Sequence, residues 1–208
     1  MALSGELLVL FLLVHAVGNA TFWANLINAY AHHLHAFPPV VWVFRAALLA
    51  LLALHVWQGT TLTLENRAAK GGAYAVKGHQ RSTVSSRTMI WTGLALALFL
   101  VFHELHLTLQ VIHPEAAAGA HADAAGRPDV QRMLGAGFAH AGTAALYAAA
   151  MIALGLHLFH GIASSVQTWG LNGPRSFVWV ERAGVALALV LAAAFLAIPV
   201  AVFAGWMR

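Results

Sequence analysis

The sequence predicts an all-α membrane protein of five transmembrane helices, and three observations predict it. Of 208 residues, 61% are hydrophobic and only 9% charged, with a mean hydropathy of +0.76; a soluble domain carries about a quarter charged residues. The apolar residues fall in five runs, 3–26, 40–64, 88–112, 134–167 and 177–206, and a helical span needs about 20 such residues. These runs and their connectors use up the chain, so residues 1–208 read as one transmembrane domain.

Composition also excludes function classes. The net charge is +4 and the isoelectric point about 10.1, but no Lys/Arg cluster is interleaved with aromatics as nucleic-acid binding requires. Cysteine is absent, which rules out disulfides, thiolate metal sites and iron–sulfur ligation by this chain. Thirteen histidines stand against seven carboxylates, and histidine is the commonest metal ligand among side chains.

The first run holds His15, Gly18 and Asn19. It lacks the basic n-region and cleavage site of a secretory signal, so it reads as a retained span. A connector, Asn28 to Pro39, ends in a proline pair expected to stop a helix. The second run contains Arg45, His55 and Gly59; a polar loop from Glu65 to Ser86 follows, with Ser85 and Ser86 as candidate N-caps of the third span. That third span carries His103, Glu104 and His106, and Pro114 closes it. Glu115 to Met133, rich in Ala, Gly and Asp, reads as an irregular connector exposed to water. The fourth run is long enough to overshoot or tilt in a bilayer; it includes His157, His160 and Gly161. The fifth has no histidine, and Pro199 is expected to kink it.

Charge sidedness orients the spans. The Glu65–Arg87 segment and the connector into the fifth helix carry seven Lys/Arg, against four on the other side. The cationic side is therefore expected to be cytoplasmic, with the N-terminus inside.

Runs one to four each bear a histidine well inside the span: His15, His55, His103 and His157. Ionisable side chains in a bilayer are costly and point to function. Four imidazoles make two bis-histidine sites, the usual way a helical bundle holds haem b, whereas zinc prefers a tight tetrahedral cluster. His103 lies 16 residues past Arg87, so roughly 24 Å above the cationic boundary. His157 lies some 20 residues into its helix from the opposite side, roughly 30 Å down, so these two do not share a metal. His55-x3-Gly59 repeats His157-x3-Gly161, and a glycine one turn away lets a flat ring approach. His55 is therefore paired with His157 on the inner side and His15 with His103 on the outer. His106 and His160, three residues on, are alternatives to His103 and His157. Candidate partners for haem carboxylates are Arg87, Ser86, His79 and Arg45. Glu104 is the carboxylate placed to donate protons to a quinone, with pairing to a ring N–H or backbone group as its bland alternative.

The segments VHAVGNATFWANLINAYAHHL, LHVWQGTTLTLENRAAKGGAY, SSRTM, FHELH and LGLHLFHGIASSVQTWGL together resemble the single-polypeptide, five-helix, di-haem cytochrome b anchor of succinate dehydrogenases and fumarate reductases. The resemblance covers nearly the whole chain. It implies two haems b, with His55/His157 holding the one nearest the catalytic subunits and His15/His103 the far one. It further implies a flavoprotein and an iron–sulfur protein as partners, a membrane quinone (menaquinone) as the redox partner, and the bacterial cytoplasmic membrane as location. Some relatives have an essential glutamate at the outer end of the second helix; here that stretch reads PPVVWVFRAALL and has no carboxylate. Alternatives of other classes are the cytochrome b anchor of a quinone-linked hydrogenase or formate dehydrogenase, and a haem-free membrane anchor or metal transporter.

Overall fold

The computed structural model describes residues 1–70, 82–171, 173 and 176–207. Seven α-helices make up most of it: α1 (Ala2–Ala20), α2 (Ile27–Leu34), α3 (Pro38–Ala69), α4 (Val84–His103), α5 (Val130–Ala139), α6 (Ala141–Thr168) and α7 (Phe177–Phe203). Five of the helical stretches are long and apolar enough to cross a bilayer: Ala2–Ala24, Pro38–Ala69, Val84–Thr108, Ala141–Thr168 and Phe177–Phe203. The architecture is that of a multi-pass helical membrane protein.

The structure corrects several local expectations. The connector after the first span contains the short helix α2, and the proline pair does not stop a helix: Pro38 and Pro39 open α3. In the first turn a missing N–H costs nothing and the fixed φ of proline is already helical. The N-cap of α4 is Thr83 rather than Ser85 or Ser86; its Oγ1 accepts from the Ser86 N–H at 3.1 Å. Ser86 instead donates its hydroxyl to the Thr83 carbonyl at 2.9 Å, and Ser85 reaches across to donate to the Leu156 carbonyl of α6. The long fourth run is not one helix. It breaks at His140, whose extended ψ of 118° separates α5 from α6. α7 runs through Pro199, which is fully buried.

Residues 115–133 are also more ordered than an irregular connector. Two short 3-10 turns, Pro114–Ala116 and Ala118–Ala120, bury Ala118, and an isolated bridge pairs Ala122 with Pro128. The buried Asn28 of α2 ties this lobe to the bundle. Its Nδ2 donates to Asp129 Oδ1 at 3.0 Å, and its Oδ1 accepts from the Gln131 N–H at 2.8 Å. Asp129 in turn caps α5 by accepting from the Arg132 N–H.

α6 is the central helix. Tyr147, Met151, Leu154 and Leu158 are buried, and α6 packs chiefly against α7 and α4. Small residues set the approach to α7: a Cβ on Gly155 would lie 3.6 Å from Ala192 Cβ, and one on Gly184 would lie 3.3 Å from Ile162 Cγ2. Close backbone approach of this kind replaces the hydrophobic drive that lipid does not supply. α3 is the opposite case. None of its residues is buried, and its main contacts are with α1 and α4. The cationic end gathers the starts of α1 and α4 with the ends of α3 and α6. There Trp169 Nε1 donates to Glu6 Oε1 at 2.8 Å.

The lobe at the opposite end has a pH dependence of definite sign. Arg127 Nε donates to the Asp123 carboxylate at 2.9 Å, and Arg127 Nη2 lies 2.7 Å from it. The Arg127 side-chain and backbone donors hold the Asp123 carboxyl down from the usual 3.8 to about 2. A depressed carboxyl stabilises the fold above its unfolded value, and that contribution is lost as pH falls toward the folded one. The Asp123–Arg127 turn should therefore hold from neutral pH down to about 4 and open between about 4 and about 2. Hydrogen exchange at the Ala125 and Arg127 amides, both donors to Asp123 Oδ1, reads this out: protection should fall in that interval and be lost at every pH in Asp123→Ala, which removes the acceptor.

Candidate functional site

Each of the first four spans contributes one inward histidine: His15 from α1, His55 from α3, His103 at the end of α4 and His157 from α6. The structure brings them together in two pairs at different levels of the bundle. The rings of His15 and His103 have centres 6.1 Å apart with planes at 84°; those of His55 and His157 are 6.3 Å apart at 72°.

The first pair sits in an aromatic environment. His15 stacks on Phe11 at 5.3 Å and lies 5.6 Å from Phe195 of α7, while Phe99 flanks His103. The backbone beyond α4 widens into a π turn, Glu104–Thr108, a feature that often marks functional positions. This turn places the Nδ1 atoms of both His103 and His106 on the hydroxyl of Tyr147, at 3.2 and 3.0 Å. His106 is only 3% exposed, and its Nε2 points at α5, where a Cβ on Gly137 would lie 2.7 Å away. Of the two, His103 is the one whose ring stands next to His15.

The second pair is held by hydroxyl groups of neighbouring helices. Ser4 Oγ on α1 lies 3.1 Å from His55 Nδ1 and also bonds the Met1 carbonyl at 2.9 Å and Gln58 Oε1 at 3.1 Å. Thr92 Oγ1 on α4 lies 3.2 Å from His157 Nδ1 and bonds the Thr88 and Met89 carbonyls. Gly5 and Gly93 follow these hydroxyl residues. A Cβ on Gly5 would meet His55 Cε1 at 3.3 Å, and one on Gly93 would meet His157 Cε1 at 3.2 Å.

The remaining expected site residues scatter. His160 is brought into neither pair. A Cβ at Gly161 would meet nothing within 4 Å, whereas one at Gly59 would touch the Met1 side chain at 3.3 Å. Arg87 donates to the Ser82 carbonyl at 3.0 Å and, with Ser86, sits at the cationic end. Arg45 is at the other end, bonded to His35 Nε2 at 3.3 Å and stacked over Trp42. Glu104 is exposed; its carbonyl accepts from the Leu109 N–H at 2.7 Å, and its carboxylate has no hydrogen bond or ion pair among the described residues. His79 lies outside the described residues.

No family model, curated protein or solved structure matches this chain. Its functional reading therefore stands on its own residues.

Sequence reasoning missed Ser4, Thr92 and Tyr147, along with Gly5 and Gly93. A signal was present: a hydroxyl residue followed by glycine occurs on the helix beside each inner histidine. Gly137 offers a direct check of the Tyr147 arrangement. Gly137→Ala drives a methyl group into His106, which is buried and has no room to swing away, and overpacking of this kind costs about 1–3 kcal/mol. The variant should melt earlier than the parent in detergent, and Gly135→Ala, where a Cβ meets nothing within 4 Å, should not.

Proposed function

We propose that the chain is the membrane-anchor cytochrome b subunit of a succinate dehydrogenase or fumarate reductase, carrying two haems b and passing electrons between an iron–sulfur subunit and a membrane quinone. The observation that supports this best is the pairing of four intramembrane histidines from four successive spans, with ring centres 6.1 and 6.3 Å apart. Two imidazoles on opposite sides of one metal have ring centres about 6 Å apart, because each metal–nitrogen bond is about 2 Å and the ring centre lies roughly 1 Å beyond.

The donor set fits haem better than a bare ion. Each pair offers two imidazoles, which suits a metal that arrives with its other ligands in a macrocycle. Among the described residues no group of three or more histidines, aspartates or glutamates could hold a metal ion, and tetrahedral zinc needs such a cluster. In this reading His55 and His157 hold the inner haem and His15 and His103 the outer one. Haem supplies reversible one-electron chemistry when bound. The chain would supply imidazole nitrogens and, through Phe11, Phe99 and Phe195, a water-excluding surround for the outer pair.

The docking face for the flavoprotein and iron–sulfur subunits is assigned to the cationic end, on the cytoplasmic side, close to His55 and His157. Ser86 and Arg87 at that end and Arg45 at the other are the described candidates for haem carboxylates. The quinone is assigned to the outer side, near His15 and His103, with Glu104 as its proton donor.

The purified chain should bind two low-spin b haems. His103→Leu and His157→Leu should each remove one, read from the absorption spectrum and haem-to-protein ratio. One haem or none in the parent overturns the four-ligand assignment. A flavoprotein should co-purify, and succinate oxidation with a soluble dye should survive His103→Leu while quinone reduction collapses; co-purification of a hydrogenase or formate dehydrogenase instead redirects the reading.

Topology has its own test. Protease added to sealed cells should leave the 65–86 segment intact, and protease added to inverted membranes stripped of the soluble subunits should cut it. Cleavage in intact cells reverses the orientation.

A further inference from the structure

The hydroxyl contacts to three of the paired histidines, His55, His103 and His157, carry an inference that rests on the di-haem reading and deepens it. A neutral imidazole carries one N–H and one lone pair, and the group bonded to one nitrogen sets which of them the other offers to a metal. A serine or threonine hydroxyl has a single proton to give.

At His55, that proton of Ser4 goes to the Met1 carbonyl at 2.9 Å or Gln58 Oε1 at 3.1 Å. The arrangement that satisfies the remaining contact has His55 Nδ1–H donating to Ser4 Oγ. At His157, Thr92 likewise gives its proton to the Thr88 carbonyl at 3.0 Å or the Met89 carbonyl at 3.1 Å, so His157 Nδ1–H donates to Thr92 Oγ1. Both rings then carry the lone pair on Nε2. The adjoining glycines add a steric argument. His55 lies against Gly5, with a built Cβ 3.3 Å from Cε1 and 3.8 Å from Nδ1, and His157 lies against Gly93 in the same way, at 3.2 Å from Cε1 and 3.8 Å from Nδ1. Nε2 of neither ring comes within 4 Å of these built Cβ atoms.

Tyr147 applies the same logic to two histidines at once. Its one proton cannot be given to both His103 Nδ1 and His106 Nδ1. One ring donates to the phenol oxygen and has a free Nε2; the other accepts from the phenol and carries its proton on Nε2. His106 Nε2 is pressed against α5 at Gly137, and His103 stands beside His15. The consistent assignment is His103 Nδ1–H to Tyr147 and Tyr147 O–H to His106 Nδ1.

We infer that Ser4, Thr92 and Tyr147 are positioning residues: they fix Nδ1–H on His55, His157 and His103, so that Nε2 is the ligand atom, and Tyr147 selects His103 over His106. The Ser-Gly and Thr-Gly dipeptides are one device used twice, with α1 serving α3 and α4 serving α6. An acceptor on Nδ1–H makes the imidazole a stronger electron donor to its metal. Removing it should therefore raise the reduction potential of that haem.

The experiment is redox potentiometry and electron paramagnetic resonance on the purified two-haem protein. The two waves are assigned from the single-haem His103→Leu and His157→Leu variants. Thr92→Val and Ser4→Ala should both shift the inner haem to higher potential and change its low-spin signal, leaving the outer haem as it was. Thr92→Ser should restore the parent values, and Tyr147→Phe should move the outer haem alone. Loss of only the haem served by the altered residue also supports the inference. Parent-like potentials and spectra in Thr92→Val and Tyr147→Phe, with both haems bound, overturn it while leaving the di-haem reading intact. A parent chain that binds no haem defeats that reading instead, and histidine 15N shifts of the full chain then test the tautomers. Nδ1–H at His157, lost in Thr92→Val, supports the assignment; Nε2–H in the parent overturns it.

Discussion

An imidazole inside a bilayer must place its N–H on an acceptor, because hydrocarbon offers none and each unsatisfied polar group there costs several kcal/mol. Three of the four paired histidines meet it on a neighbouring helix, while His15 lies among the rings of Phe11, His103 and Phe195. His55 on α3 finds its partner on α1, His157 on α6 finds one on α4, and His103 on α4 finds one on α6. Every such bond crosses a helix interface. Interhelical bonds of this kind contribute about 0.6 kcal/mol on average and up to about 2 kcal/mol, so the groups that orient the rings also hold neighbouring spans in register.

The five helices depend on these bonds to different degrees. α6 and α7 pack through Gly155, Gly184 and a buried row that includes Ala188 and Leu191, and they would associate without any histidine. α3 has no buried residue to offer. Its Trp42, Val43, Leu49 and Trp57 are exposed, as suits lipid contact, and the Ser4–His55–Gln58 cluster is its polar tie to α1. The least firmly packed span is thus the one whose histidine is half of the inner pair. Lipid tails are as apolar as the side chains of α3, so burial gives it little reason to stay with the bundle.

This also explains what was legible in the sequence. The five spans could be read because about 20 consecutive apolar residues have few other fates, and the pairing of His55 with His157 and of His15 with His103 could be read from depth along a helix of known rise and from spacing. Depth itself separated only His103 from His157; the repeated His-x3-Gly spacing then assigned His55 to His157 and left His15 for His103. Helix ends were less legible: Pro38 and Pro39 read as a stop although they begin α3, and the break at His140 lies within an apolar run that carries no warning of it. Of the partners Ser4, Thr92 and Tyr147, the first two left only a Ser-Gly and a Thr-Gly dipeptide as a trace. Their contacts depend on how each helix is rotated about its own axis. A helix that is apolar all round shows no amphipathic face from which rotation could be read.

The π turn at Glu104–Thr108 shows how far spacing can mislead. His103 and His106 are three residues apart, and on a regular helix that puts both on one face with equal claim to the site. The wider turn separates them. Both Nδ1 atoms still reach the single Tyr147 oxygen, but the rings diverge beyond it, one toward His15 on α1 and the other into α5 at Gly137. Glu104, which opens the same turn, is exposed. A phenol has one proton and cannot donate to both histidines, and a locally widened backbone sends their rings to different neighbours.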